Sequence, residues 1–154
     1  MIHKTAIIDN KAKVSSSAKI GAYSVIGPNV EIGDDTIIHS QVNISGNTKI
    51  GTSNKIYPFA AIGNDPQDLK FDGEETKLVI GDNCIIAGQV GFAGSSTLGN
   101  HVMIGGQAGV SGHLKIGNNV HIGGGSGVIK DIPDNSKVMG YPAKSLKNFI
   151  RENK

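Results

Sequence analysis

The sequence predicts an all-β fold, a single-stranded parallel β-helix, and three observations carry that expectation. Every sixth residue from Ile2 to Ile62, and again from Ile80 to Val128, is a large apolar one, twenty positions in one register. Two residues before many of these stands a small or β-branched side chain, as at Ala18, Val30, Thr36, Val42 and Val120. The third is composition, with 22 glycines, no tryptophan and 5% aromatic residues. Such a chain is suited to a narrow interior of stacked Ile, Val and Ala.

A period of six matches neither the 3.6-residue turn of a helix nor the simple alternation of an isolated strand. It fits a coil of short strands, each hexad supplying one strand with its large residue pointing inward, and it is a known signature of parallel β-helices. Three hexads close a triangular coil of 18 residues, and inward residues of successive coils stack about 4.8 Å apart. From Ile2 to Val128 this gives about seven coils. A glycine often follows the inward residue, as at Gly21, Gly33, Gly81, Gly99 and Gly117, and is expected to supply the corner conformation that a Cβ would resist. The period does not fix the hand of the coil, and crossover preference alone favours a right-handed one.

Taken in order, the hexads of residues 1–132 form the β-helix domain, interrupted near 64–77. There GNDPQDLKFDGEETK carries charge, Pro66 and Gly73, with no inward aliphatic at 68 or 74, and predicts an external loop. Residues 133–154 form a turn-rich segment and a short C-terminal helix, with Leu146, Phe149 and Ile150 at i, i+3, i+4 spacing to cap the last coil.

At 154 residues the length suits one domain. Fifteen basic residues against 13 acidic ones, scattered along the chain, give no nucleic-acid track. No apolar run is long enough for a signal peptide or membrane insertion. Cys84 is the only cysteine, so no internal disulfide forms and a buried inert thiol in a reducing compartment is expected. His3, His39 and His121 lack acidic or cysteine neighbours at ligand spacing, so no metal site is predicted. The chain reads as cytoplasmic.

Two strings go beyond the repeat. Residues 1–83, notably YPFAAIGNDPQDLKFDGEETKLVIGDN, resemble the UDP-N-acetylglucosamine acyltransferase of lipid A synthesis. Residues 79–144, notably AGQVGFAGSSTLG and VSGHLKIG, resemble the next acyltransferase of that bacterial pathway, which N-acylates UDP-3-O-acylglucosamine. The two meet at IGDN, which reads as the join of a hybrid. The resemblance implies a left-handed coil, a homotrimer, and acyl transfer from an acyl carrier protein thioester to a UDP-glucosamine sugar without another cofactor. It carries nucleotide-sugar contacts over to Gln67, Asp68 and Lys70, with Lys70 facing phosphate and Asp68 sugar hydroxyls. It places oxyanion glycines at Gly94 and Gly112, and passage of the acyl chain at Gly124.

Both families need a histidine base beside that oxyanion donor. On the second family's pattern the base lies one full coil before Gly94, where Thr76 stands; on the first family's it lies a coil and one further position before His113, again at Gly94. Neither side chain is basic. His101 and His113 each follow an inward position by three and should point outward, on different faces. His113 is the one candidate catalytic base, and a rival reading makes the chain an acetyl-CoA-dependent acetyltransferase that uses it. A second rival is a non-catalytic structural or nucleotide-sugar-binding trimer. GGGSG at 123–127 lacks the ending of a phosphate loop and belongs to the repeat.

Overall fold

The computed structural model describes residues 1–65 and 72–153. The chain winds about seven times as a left-handed parallel β-helix, with one short helix at its C-terminal end. Three parallel sheets make the faces of the prism. One stacks Lys19–Ile20, Ile37–Ile38, Lys55–Ile56, Ile85–Ile86, Met103–Ile104 and His121–Ile122; the strands ending at Ile8, Ile26, Ile44 and Val110 belong to a second, and those ending at Val14, Ile50, Leu98 and Ile116 to the third.

Strands of two to four residues suffice because each hexad turns two side chains inward. The apolar residue of the period and the one two places before it are both buried, as in Ala18 and Ile20, Val42 and Ile44, or Val102 and Ile104. Each fully buried Ile contributes roughly 1.5–3 kcal/mol of transfer free energy. Where the earlier place is polar, a hydrogen bond satisfies it, within the coil at Thr48 and from coil to coil at Ser24 and Thr36. The Ser24 hydroxyl donates to the His39 carbonyl at 2.8 Å and accepts the Val42 N–H at 3.2 Å, and Thr36 does the same with Gly51 and Asn54. Among the described residues no buried side-chain polar atom lacks a partner.

The corners correct one expectation. Of the glycines that follow inward residues, only Gly63 has positive φ. The left-handed conformation instead falls two positions further on, at Tyr23, Asp35, Gln41, Ser53, Phe59, Asn83, Gln89, Ser95, His101, Gln107, His113 and Asn119. What the earlier glycines accommodate is the neighbouring coil: a Cβ on Gly21 would lie 2.5 Å from the Ser40 nitrogen, and one on Gly81 2.6 Å from the Gly99 carbonyl oxygen.

The break in the repeat is an excursion. Neighbouring strands normally pair positions one coil apart, as Val25 with Asn43 and Lys19 with Ile37. Lys77 instead pairs with Asn47 and Ile80 with Ile50, so the length of two extra hexads lies between these paired positions. Asn64 ends one strand and Lys77 begins the next, so both bounds of the expected loop 64–77 lie in strands, and residues 66–71 of it lie outside the described residues. The repeat also runs past residue 132. Ile132 bridges to Ile116, and Lys137–Met139 pairs with His121–Ile122, in each case two positions short of a full coil. That shortening moves the apolar position off the six-residue register, so the coil extends into the segment assigned to turns.

The helix Leu146–Glu152 starts at Ser145, whose hydroxyl accepts the Asn148 N–H at 3.3 Å. Leu146 and Phe149 are half-buried, while Ile150 is exposed, so the helix covers the end of the coil with two of the three expected apolar residues. Among the described residues no helix is long and apolar enough to cross a membrane.

Candidate functional site

Strand register places the singled-out glycines in one column. Val79 pairs with Thr97, and Thr97 with Lys115, so Thr76, Gly94 and Gly112 follow one another up successive coils. A Cβ on Gly94 would lie 2.5 Å from Thr76 Oγ1, and one on Gly112 3.0 Å from the Gly94 carbonyl oxygen. The residue one coil before Gly94 therefore lies beneath it in space as well as in the count. Thr76 and Gly94 are buried, Gly112 half-buried.

The next column holds Lys77, Ser95 and His113. Ser95 and His113 have φ of 62° and 63°, which swings the chain around the corner and turns His113 outward, as expected. This corner differs from the other two in its backbone bonding. At the Tyr23 corner the positive-φ residues donate to the coil below, as Gln89 to the Pro58 carbonyl (3.2 Å) and Gln107 to that of Gly88 (3.1 Å). At the Asp35 corner, Asn83 donates to Thr52, His101 to Asp82 and Asn119 to Asn100, at 2.8–2.9 Å. The N–H groups of Ser95 and His113 donate to no partner among the described residues, nor do those of Gly94 and Gly112.

His101 sits at the Asp35 corner, away from His113, so the two histidines do not converge within one chain. Gly124 stacks on Gly106, 3.2 Å from its carbonyl oxygen to a Cβ, and so belongs to the Tyr23 corner. There Gly88, Gly106, Tyr57, Pro58 and Phe59 line a shallow groove. One chain therefore does not bring Gly124 to Gly94 and Gly112. Gln67, Asp68 and Lys70 lie outside the described residues. Gly123–Gly127 is coil backbone, with Gly125 at a corner.

Charge near the column is modest. Lys13 and Glu31 form an ion pair at 2.6 Å on the face below, which lowers the Glu31 carboxyl pKa and raises that of Lys13; both are solvent-exposed. Cys84 is buried with its thiol 3.2 Å from the Gly99 carbonyl oxygen, and burial pushes its pKa up, as suits an inert thiol. Among the described residues no three His, Cys, Asp or Glu side chains are grouped to hold a metal. Sequence reasoning passed over Ser95; its signal is that it stands one coil before His113, at the same corner position.

The column can present amide donors to an oxyanion, with one imidazole at its rim. Comparison with known proteins gives this chemistry a context. No family model matches the chain. Over 85 residues, 55% of this chain, it is 41% identical to the acyl-[acyl-carrier-protein]–UDP-N-acetylglucosamine O-acyltransferase of Saccharophagus degradans; over 82 residues it is 51% identical to that of Herminiimonas arsenicoxydans. These matches take in 33% and 31% of the relatives, so the chain spans about a third of the length of the curated relatives it matches. Among solved structures, the UDP-N-acetylglucosamine O-acyltransferase of Moraxella catarrhalis superposes with TM-score 0.76 at 35% identity, over 99% of this chain and 77% of that one. The enzyme of Acinetobacter baumannii gives 0.73 at 33%, with the same coverage.

Proposed function

We propose, for a chain that belongs to the UDP-N-acetylglucosamine O-acyltransferase family, that it keeps the acyl-donor half of that family's chemistry and lacks the base for the sugar half. On this reading it is a homotrimer that meets an acyl carrier protein thioester and a UDP-glucosamine sugar, with Gln67, Asp68 and Lys70 toward the nucleotide sugar and Gly124 beside the acyl chain. Its C-terminal coils derive from the N-acyltransferase of the same pathway, joined near Gly81–Asn83.

The observation that carries the proposal is the stacking of Thr76 under Gly94. Acyl transfer to a sugar hydroxyl or amine needs a group that removes a proton while an N–H steadies the oxyanion. Gly94 and Gly112 offer amide N–H groups that have no partner among the described residues. The side chain beneath them is a threonine, whose hydroxyl takes up no proton near neutral pH. Retention of the glycines without the base supports donor binding with sugar acylation reduced by the loss of general-base catalysis, typically about 10²–10⁴-fold.

The test is an acyl-transfer assay with UDP-N-acetylglucosamine and UDP-3-O-acylglucosamine, each with hydroxyacyl carrier protein, read by mass spectrometry of the sugar product. The expected result is a folded chain that binds donor and yields no acylated sugar above background. Robust acylation of either sugar would refute the reading.

A further inference from the structure

We propose that Ser95 and His113 form a nucleophile–base pair that cleaves acyl thioesters through an acyl-serine. The inference rests on the reading that this corner binds an acyl donor. Its second support is positional. Ser95 and His113 hold the same corner position in successive coils, at φ 62° and 63°. Elsewhere, side chains so related reach each other: Gln107 Nε2 donates to Gln89 Oε1 at 2.9 Å, one coil away, where the corner glycines stack as Gly112 does on Gly94. Hydroxyls at the same place in the hexad at the other two corners, without the positive φ of Ser95, accept from the coil above: Ser17 Oγ takes the Asp35 N–H at 2.9 Å, and Thr5 Oγ1 the Tyr23 N–H at 3.1 Å.

At the Ser95 corner none of these partnerships is made. The Ser95 hydroxyl, the His113 imidazole and the N–H groups of both residues have no hydrogen-bond partner among the described residues. Ser96 next door shows the contrast, its hydroxyl donating to the Ser111 carbonyl and accepting from Leu114. A hydroxyl, an imidazole one coil above it and amide donors that have no partner among the described residues are the parts of a nucleophilic acyl-transfer site.

The chemistry balances with water as co-reactant. Ser95 Oγ attacks the thioester carbonyl carbon as its proton passes to His113, and the amide N–H groups receive the oxyanion. The C–S bond then breaks, the thiol leaves with the proton from His113, and Ser95 holds the acyl ester. Water adds to that ester as His113 takes its proton. The C–Oγ bond breaks, Ser95 regains a proton, and the carboxylic acid departs.

The experiment uses a decanoyl-pantetheine thioester on the full chain, with binding measured by equilibrium dialysis, free thiol by a chromogenic reagent and the acyl adduct by peptide mass spectrometry. Expected are donor binding, steady thiol release and a decanoyl mass on the peptide containing Ser95. Ser95→Ala abolishes adduct and release without loss of binding, His113→Ala slows both about 100-fold or more, and Ser95→Cys keeps a trapped adduct. The Cys variant and circular dichroism separate lost chemistry from lost folding. Binding without adduct, or thiol release that survives Ser95→Ala, overturns this proposal alone; absence of donor binding overturns both it and the reading on which it rests.

Discussion

Two corners of the prism and the third solve the same geometric problem with different bonding. At the Tyr23 and Asp35 corners, each positive-φ residue is tied to the coil beneath, and at the Asp35 corner Asp82, Asn100 and Asn118 also donate backbone N–H groups to side-chain oxygens of Asn100, Asn118 and Asp134 at 2.7–2.8 Å. Near Gly94–Ser95 and Gly112–His113 that cross-linking stops, although the backbone conformation is the same. Bonded corners contribute to the stability of the stack. The third corner presents N–H groups that have no partner among the described residues, and it stands beside the strand that opens at Lys77.

Asn54 is fully buried, donates to the Gly81 carbonyl at 2.9 Å and accepts the Cys84 N–H at 2.7 Å, which bridges the coils that the excursion separates in sequence. Asn54→Ala leaves the buried Cys84 N–H and the half-buried Gly81 carbonyl without this partner and should cost about 2–3 kcal/mol in chemical denaturation. At the open corner, Gly94→Ala puts a methyl against Thr76 and should cost about 1–3 kcal/mol by overpacking. Thr76→Gly removes the obstacle, so the double variant should lose clearly less than the sum of the singles; strict additivity would show that the two do not touch.

The adjacent serines sharpen the contrast. Ser96→Ala should cost about 1–2 kcal/mol because its hydroxyl serves two coils, whereas Ser95→Ala should change stability by less than about 0.5 kcal/mol. Equal losses would mean that Ser95 is structural. The smallest effect is that of Cys84, whose folded thiol has a raised pKa through burial. The neutral thiol is favoured by folding, so its contribution is complete below the ordinary thiol value of about 8.5 and is lost as pH rises through the folded value. Denaturation curves on the alkaline side should show that added loss in the parent and not in Cys84→Ala.

The core was legible in the sequence because burial has the period of the coil. Ile20, Ile26, Ile32 and Ile38, together with Ala18, Val30 and Val42, could be placed inside from spacing alone. Corner conformation was not, because glycine answers two demands and here serves the second. Gly21 and Gly81 are held by the close approach of the next coil, while left-handed φ falls on a mixed set, from Asp35, Asn83 and Asn119, which favour it, to Tyr23 and Gln89, which do not. The last coil was missed because its shortening shifts Ile132 and Val138 out of phase with Val128. Counting back one full coil located Thr76 correctly under Gly94, since that count crosses no break in the register. Ser95 escaped notice because its distinction is a hydrogen bond not made, and that is visible only once the other corners are seen to make it.

The account turns on Thr76 standing where a base would act, and one paired measurement addresses that directly. Acyl transfer from hydroxyacyl carrier protein to UDP-N-acetylglucosamine and to UDP-3-O-acylglucosamine is followed in the parent chain and in Thr76→His, both verified as folded. The account predicts no acylated sugar from the parent and product from Thr76→His with one of the two sugars. Acylated sugar from the parent at a rate that Thr76→His does not raise would contradict it.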